Sequence, residues 1–520
     1  FGFGGTNFHV VLEEYVPGRL QVDDRSSSQS VIAPQPTEKV AAAVPKTPLR
    51  GALVHGAATI EEVRARLAAT LDAARQGTAP PPQPPQESDL RAAVRIAIDY
   101  GDAAELAAKA EKAIDAIDAD NPLIWKALRN RGIFLGRGTP GMVAFLYTGQ
   151  GSQYVNMLDT LRETEPIVAA AFDDADRIME PILGKPLSSY IFADAGDEEA
   201  MRAADLELRQ TEITQPAVLT VDDALTDLLA AYGIHPDMVM GHSLGEYGAL
   251  VAAGALPFED ALEAVAGRGR EMASVEVEDK GLMAAVLAPL DDIVAITEEV
   301  DDYVVVANYN SSKQAVIGGS TPGVTEAGKR LAAAGAQVIP LPVSHAFHTE
   351  IVAPAAVPLI ELLERLRLES PAIPIVANTD GGFYPMGPNV VPKMIDILGK
   401  QIASPVQFVA GLKTLHEAGC RVFVEVGPKK ALQGLADDVL GAEAEVVTLF
   451  TNHPKQGDRA SFNQGLCGLY AAGLGVGHRS ADIPATPPRE TPQPVREHRP
   501  PAAAPEVSAA TQPAVSYTHL

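Results

Sequence analysis

Gly241-His242-Ser243-Leu244-Gly245-Glu246 follows the apolar triplet Met238–Met240 and opens a helical stretch, Tyr247–Ala253. A glycine-flanked serine between a strand and a helix is a G-x-S-x-G elbow. The tight turn needs small neighbours, pushes the hydroxyl clear of the backbone, and turns the next residue's N–H toward a developing oxyanion. Ser243 is therefore the candidate nucleophile, with the Leu244 N–H beside it. A free serine is a weak nucleophile and needs a base. Of the 11 histidines, those in Ser344-His345-Ala346-Phe347-His348 stand out, and His348 is the candidate base. His345 and His348 could alternatively ligate a metal, but no third ligand at suitable spacing accompanies them; His345 also fits a satisfied core histidine. A second glycine turn, Gly149-Gln150-Gly151-Ser152-Gln153, follows the strand-like Met142–Tyr147, and its N–H groups can complete an oxyanion hole. It lacks the Lys and second Gly of a phosphate loop, and Gly2-x-Gly4 lacks the third Gly of a dinucleotide site.

These residues need a scaffold, and from Met142 onward short apolar strands alternate with amphipathic helices. Met142–Tyr147, Met238–Met240, Ile373–Ala377 and Val422–Val426 read as strands of a parallel sheet in an α/β domain. Residues 282–343 read strand, helix, strand, strand, helix, strand (Leu282–Leu287, Asp291–Val300, Tyr303–Ala307, Gln314–Ile317, Thr325–Ala334, Gln337–Leu341). That order is ferredoxin-like. The expected fold is a large α/β-hydrolase-like domain carrying this small lobe, preceded by a small α/β linker domain. In the latter, Thr59-x-x-Glu62 is a capping box, with Ile60, Val63, Leu67 and Leu71 at helical spacing. Strand-like Ala92–Ile98 and helical Ala104–Ile117 follow.

The expected boundaries are 1–16 for an incomplete leading segment, 17–49 for a Ser/Pro-rich linker, 50–140 for the small α/β domain and 141–445 for the large domain with its lobe at 282–343. A following linker is expected at 446–480 and a disordered Pro/Ala-rich tail at 481–520. The sequence opens without Met and reads as a fragment of something larger. Its closing Val515–Leu520 back-translates to a sequencing-adapter sequence and is set aside.

Length and composition narrow the function. With 520 residues and 46% hydrophobic content, several cores can be buried. A formal charge of −26 repels phosphate backbones and anionic lipid, so neither nucleic acid nor membrane is an expected partner. Two cysteines, Cys420 and Cys467, make no disulfide framework and fit a reducing compartment, and no stretch approaches the roughly 20 apolar residues of a membrane span. A cytoplasmic location is expected.

Taken together, Gly149–Gln153, Gly241–Glu246, Arg268 at 25 residues after the serine, His345-Ala-Phe-His348 and Val426-Gly427-Pro428 resemble the malonyl-CoA:acyl-carrier-protein transacylase domain of polyketide and polyunsaturated-fatty-acid synthases. The opening Gly4-Gly-Thr-Asn-Phe-His-Val-Val-Leu-Glu13 resembles the end of a ketosynthase, which makes 1–16 its remnant and 50–140 the ketosynthase-to-acyltransferase linker domain. The resemblance implies acylation of Ser243 with His348 as base, Gln150 and Leu244 as oxyanion-hole N–H donors, and a Gln401 carbonyl orienting the histidine. It gives Arg268 the malonyl carboxylate, a task suited to a planar guanidinium; by sequence alone Arg268 also reads as a solvated helix charge, with Arg270 a competitor. His345 and Phe347 are implied as specificity residues, Phe347 filling the space of a 2-methyl branch. No bound cofactor and no metal are implied. The substrates are a CoA thioester, malonyl-CoA, and the phosphopantetheine of an acyl carrier protein, with a ketosynthase as neighbour. Lys429 stands where such domains often carry Gly, Thr148 where Pro is common, and Phe8 where Ala is usual. Two alternatives remain open: an α/β-hydrolase-type thioesterase, which needs an acidic residue between serine and histidine, and a catalytically silent docking scaffold.

Overall fold

The computed structural model describes residues 46–441 and 446–475. The ketosynthase-like opening with Phe8, nearly all of the 17–49 linker and the 481–520 tail lie outside the described residues. Three sheets organise the described residues. β1 (Gly51–Ala57), β2 (Val94–Tyr100) and β3 (Ile133–Arg137) form a small antiparallel sheet in that order. β4 (Met142–Tyr147) and β5 (Met238–Gly241) begin a second sheet. The chain then builds β6 (Leu282–Leu287), β7 (Val304–Tyr309), β8 (Gln314–Gly319) and β9 (Gln337–Pro340) before returning to the second sheet with β10 (Ile375–Val376), β11 (Cys420–Val426) and β12 (Val447–Phe450).

The central sheet is wholly parallel, ordered β10-β5-β4-β11-β12, and the lobe's sheet is antiparallel, ordered β7-β8-β6-β9. Helices Leu290–Glu298 and Thr321–Ala333 separate the lobe's strands in the expected alternation. Parallel strands buried on both faces read as continuous apolar runs, and Val143, Ala144, Phe145, Leu146 and Tyr147 are all buried. Helix Thr211–Ala231 crosses behind them and is buried along most of its length. β4 and β5 end side by side, Tyr147 paired with Gly241. Both glycine turns therefore emerge at the carboxyl edge of the sheet, where open α/β sheets gather ligands.

In the small domain the capping box forms as the spacing predicts. Thr59 Oγ1 accepts from the Glu62 N–H at 3.3 Å, and Glu62 Oε2 accepts from the Thr59 N–H at 3.4 Å. Val63 and Leu67 of the helix Ile60–Arg75 are fully buried, each contributing about 1.5–3 kcal/mol.

Three expectations need correction. The parallel sheet does not end at residue 445, because β12 is its edge strand, paired with β11 from Val447 to Phe450. Four residues before Thr451-Asn-His-Pro454 are too few to show a strand period. The next segment is no free linker either: helix Asp458–Ala471 lies against the small domain, with Asn463 donating to Gly51 O (3.1 Å) and Asp99 Oδ1 (2.8 Å). Arg95 of β2 answers with a 2.8 Å bond to Ala471 O. Such pairing offsets the desolvation of the Asn463 amide and the Arg95 Nε–H, while Arg95 Nη2 is buried without a partner. β10 is also shorter than the apolar run Ile373–Ala377, because Pro374 has no N–H to give to a ladder.

Candidate active site

β5 delivers the elbow and helix Gly245–Ala252 leaves it. A Cβ on Gly241 would overlap Gly245, and one on Gly245 would overlap the carbonyl of Tyr147, so neither tolerates a side chain. Ser243 itself sits at φ 53°, the left-handed region that L-residues enter only when the surroundings impose it. Asn378, just past β10, imposes it: Oδ1 accepts from the Ser243 N–H at 2.6 Å while Nδ2 donates to Gly241 O at 2.7 Å. One amide thus ties both arms of the turn.

His348 meets the serine from the chain leaving the lobe, with Ser243 Oγ and His348 Nε2 2.6 Å apart. Its Nδ1 faces two carbonyls, Gln401 O at 3.1 Å and Ser404 O at 3.2 Å. Carbonyls only accept, so Nδ1 carries the proton and Nε2 offers its lone pair to the serine O–H. Burial, with the nearby charges of Arg268 and His242, pushes the His348 pKa down to about 3. The ring is therefore a neutral base throughout the neutral range. Because the native pKa lies below the unfolded one, folding stability is at its full value above about pH 6.5 and falls as the pH drops toward about 3, where the unfolded ring takes up a proton that the buried ring refuses. Histidine-selective NMR should find His348 unprotonated at about pH 5, where a solvated imidazole is charged; a midpoint between about 6 and 7 would contradict this environment.

Arg268 projects from helix Phe258–Ala273 and is 1% exposed. Its Nη1 donates to Gln215 Oε1 at 3.0 Å, and its Nη2 to Gln401 Oε1 at 3.1 Å and Ser243 Oγ at 3.3 Å. Its Nε is buried without a partner, and no carboxylate among the described residues forms an ion pair with it. Arg270, the competing cation, is exposed beside Glu271.

Gln401 does more than the backbone role expected of it. While its carbonyl orients His348, its amide nitrogen donates to Ser243 O at 2.8 Å and to Glu246 Oε2 at 2.7 Å. Glu246 also accepts from the Tyr384 hydroxyl and the Asn378 N–H, and burial lifts its carboxyl to about 7. Asn378, Glu246, Tyr384, Gln215 and Ser404 escaped the sequence reading. Only Glu246 carried a signal, and an acid in a first helical turn reads equally as a charge on the helix dipole.

The other glycine turn abuts the elbow. The His242 N–H donates to Tyr147 O at 3.0 Å, and a Cβ on Gly149 would come within 2.6 Å of His242 O. Gln150 follows directly, exposed at the surface, and its side chain reaches Thr211 Oγ1 at 3.5 Å. His345 is fully buried, with Nε2 at 2.9 Å from Val275 O and Nδ1 at 3.2 Å from Ser344 Oγ. With His348 also engaged at both nitrogens, neither ring has one left for a metal. Phe347 is buried, its ring centroid 6.5 Å from that of His345.

Chemically, this is a hydroxyl with a tautomer-locked base, held beside a desolvated cation that no carboxylate among the described residues ion-pairs. A family model described as an acyl transferase domain matches residues 144–469. A malonyl CoA-acyl carrier protein transacylase of Bacillus subtilis (strain 168) is 38% identical over 302 residues, 57% of this chain and 90% of that protein. The spectinabilin polyketide synthase system protein NorB of Streptomyces orinoci is 31% identical over 445 residues, covering 85% of this chain; the chain spans only 19% of that protein. Among solved structures, the acyltransferase domain from the second module of the salinomycin polyketide synthase aligns with a TM-score of 0.60 at 28% identity, covering 82% of this chain and 93% of that one.

Proposed function

The chain belongs to the acyl transferase domain family, and on that premise we propose that it moves a malonyl group from malonyl-CoA to the phosphopantetheine thiol of an acyl carrier protein through an ester on Ser243. One observation carries the choice of acyl group: a buried guanidinium, 3.3 Å from the nucleophile, that no carboxylate among the described residues meets in an ion pair, Glu246 acting on it only from a distance. Burying a lone cation is costly unless it is paired, and a substrate carboxylate supplies the pair.

In the first half-reaction His348 Nε2 takes the Ser243 proton as Oγ attacks the thioester carbonyl. The Leu244 and Gln150 N–H groups receive the oxyanion, and the CoA sulfur departs with the proton returned by His348. In the second, the carrier thiol gives its proton to His348 and attacks the ester. Oγ leaves as the proton comes back to it. Neither step calls for a metal or redox cofactor, and the one prosthetic group involved belongs to the carrier protein.

His345, occupied at both nitrogens, holds Phe347 in the acyl pocket, where the phenyl group disfavours a 2-methyl branch; a methyl discriminates by only ~1–3 kcal/mol, so this is a preference. The lobe is ferredoxin-like, a reading supported by its strand succession and order, and the large domain is α/β-hydrolase-like, supported by its parallel sheet and serine elbow. A neighbouring ketosynthase is supported by the Gly4–Glu13 segment and by the polyketide synthase relative, and a cytoplasmic location by the cysteine usage and by the absence, among the described residues, of any helix long and apolar enough to cross a membrane.

The thioesterase reading is disfavoured because backbone carbonyls, rather than an acidic side chain, hold the base. Incubation with malonyl-CoA and a phosphopantetheinylated carrier protein tests the two. Malonyl should appear on the carrier thiol; rapid release of free malonate without carrier protein would favour hydrolysis.

A further inference from the structure

Lys429 sits at φ 70°, where glycine is at home and a lysine is strained. Its position is set by Gly427, at φ 142°, whose missing Cβ lets the loop after β11 close onto Thr148 and Asp222. Thr148 is the residue immediately before the Gly149–Gln153 turn, and its hydroxyl donates to Asp222 Oδ1 at 3.1 Å. The loop is thus pressed against the root of that turn, and Lys429 Nζ donates to Gly151 O at 2.9 Å.

The turn fastens its own ends: Ser152 Oγ donates to Gly149 O at 2.7 Å, and Gly151 N–H to Gln153 Oε1 at 2.7 Å. These bonds leave the carbonyl of Gly151, the residue after the oxyanion donor Gln150, to the lysine. Gly151 is itself at φ 103° and a Cβ there would touch nothing within 4 Å, so the turn has no packing to hold it on that side.

We propose that Lys429 is a positioning residue: its ammonium clasps the Gly149–Gln153 turn so that the Gln150 N–H points at the oxyanion of the reaction proposed above, on which this inference rests. Left-handed strain at Lys429 then has a return in preorganisation, since an oxyanion donor acts only from a fixed place. The rival role for a lysine at this rim is a charge for the phosphates of CoA or for an acidic carrier protein. Asp205 and Arg209 both act electrostatically on Lys429, the former favouring its charge and the latter opposing it, and burial lowers its pKa from the ordinary lysine value. A half-buried amine already committed to a carbonyl is poorly suited to that rival role.

Single-turnover acylation of Ser243 by malonyl-CoA, followed by intact mass over a range of concentrations, separates the roles. Losing one oxyanion donor outright costs about 10²–10³-fold, so loosening it in Lys429→Met should cost about tenfold in the maximal rate, with the half-saturating concentration held within about twofold. Lys429→Arg, which keeps a donor at that reach, should recover most of the rate. Lys429→Gly should be as slow as Lys429→Met while unfolding at a temperature equal to or above that of the unmodified chain, because the strain is gone. An unchanged maximal rate in Lys429→Met, or a raised half-saturating concentration that salt abolishes, would overturn the proposal. If the unmodified chain takes up no malonyl at all, the transacylase reading falls first and this one with it.

Discussion

Replacing His348 with alanine should slow acylation of Ser243 by malonyl-CoA about 10³-fold or more while leaving the fold intact. A positioned base contributes typically about 10²–10⁴-fold, and nothing else described can substitute. The nearest titratable neighbours are Arg268, which stays cationic, and His242, whose Nε2 is bonded to Asn310 Oδ1 at 2.8 Å. The variant removes a buried polar ring that costs stability to desolvate, and it leaves the carbonyls of Gln401 and Ser404 to be met by water in the opened space. Thermal unfolding should therefore move little compared with the rate. Measured CoA release within tenfold of the unmodified chain would mean that the serine draws its base from elsewhere.

Arg268→Ala should reduce malonyl loading by about 10²–10³-fold and, unlike the histidine variant, change what the enzyme accepts. Truncating one partner of a buried, hydrogen-bonded charge pair costs about 2–5 kcal/mol, or about 30- to 4,000-fold in rate or affinity, and the expected loss lies in the middle of that span. Acetyl-CoA has no carboxylate to pair, and loading it beside an unpaired cation carries a desolvation cost that the alanine removes. The ratio of acetyl to malonyl loading should therefore rise by more than the malonyl loss alone. Arg268→Lys should recover only part of the malonyl rate, since an ammonium cannot bridge Gln215, Gln401 and a carboxylate with a planar fork. Parallel losses with malonyl- and acetyl-CoA would make Arg268 a scaffold for Gln401 instead of a substrate contact.

Much of this site was legible because its chemistry is local. The glycines of the elbow, the serine and the strand before it lie within a few residues, and the strands Met142–Tyr147 and Leu282–Leu287 match their apolar runs to the residue. The support behind the site was not legible, for a physical reason. Asn378 reaches Ser243 across 135 residues and Gln401 reaches it across 158, through side-chain amides whose sequence context is an ordinary loop and a helix end. Glu246 reads as a solvated acid until helix, strand and loop close over it and lift its carboxyl to about 7. Arg268 was placed by resemblance, while its burial, and the lack of an ion pair to it among the described residues, could come only from packing. β12 escaped for the opposite reason: four residues are recognisable as a strand only by the neighbour they pair with.

Intact mass of the chain after brief exposure to malonyl-CoA, with acetyl-CoA alongside, bears most directly on the whole account. It should gain one malonyl group, on the peptide that contains Ser243, with little acetyl; Ser243→Ala should gain nothing, and adding carrier protein should clear the label. A malonyl adduct that persists in Ser243→Ala, or no adduct on the unmodified chain, would contradict it.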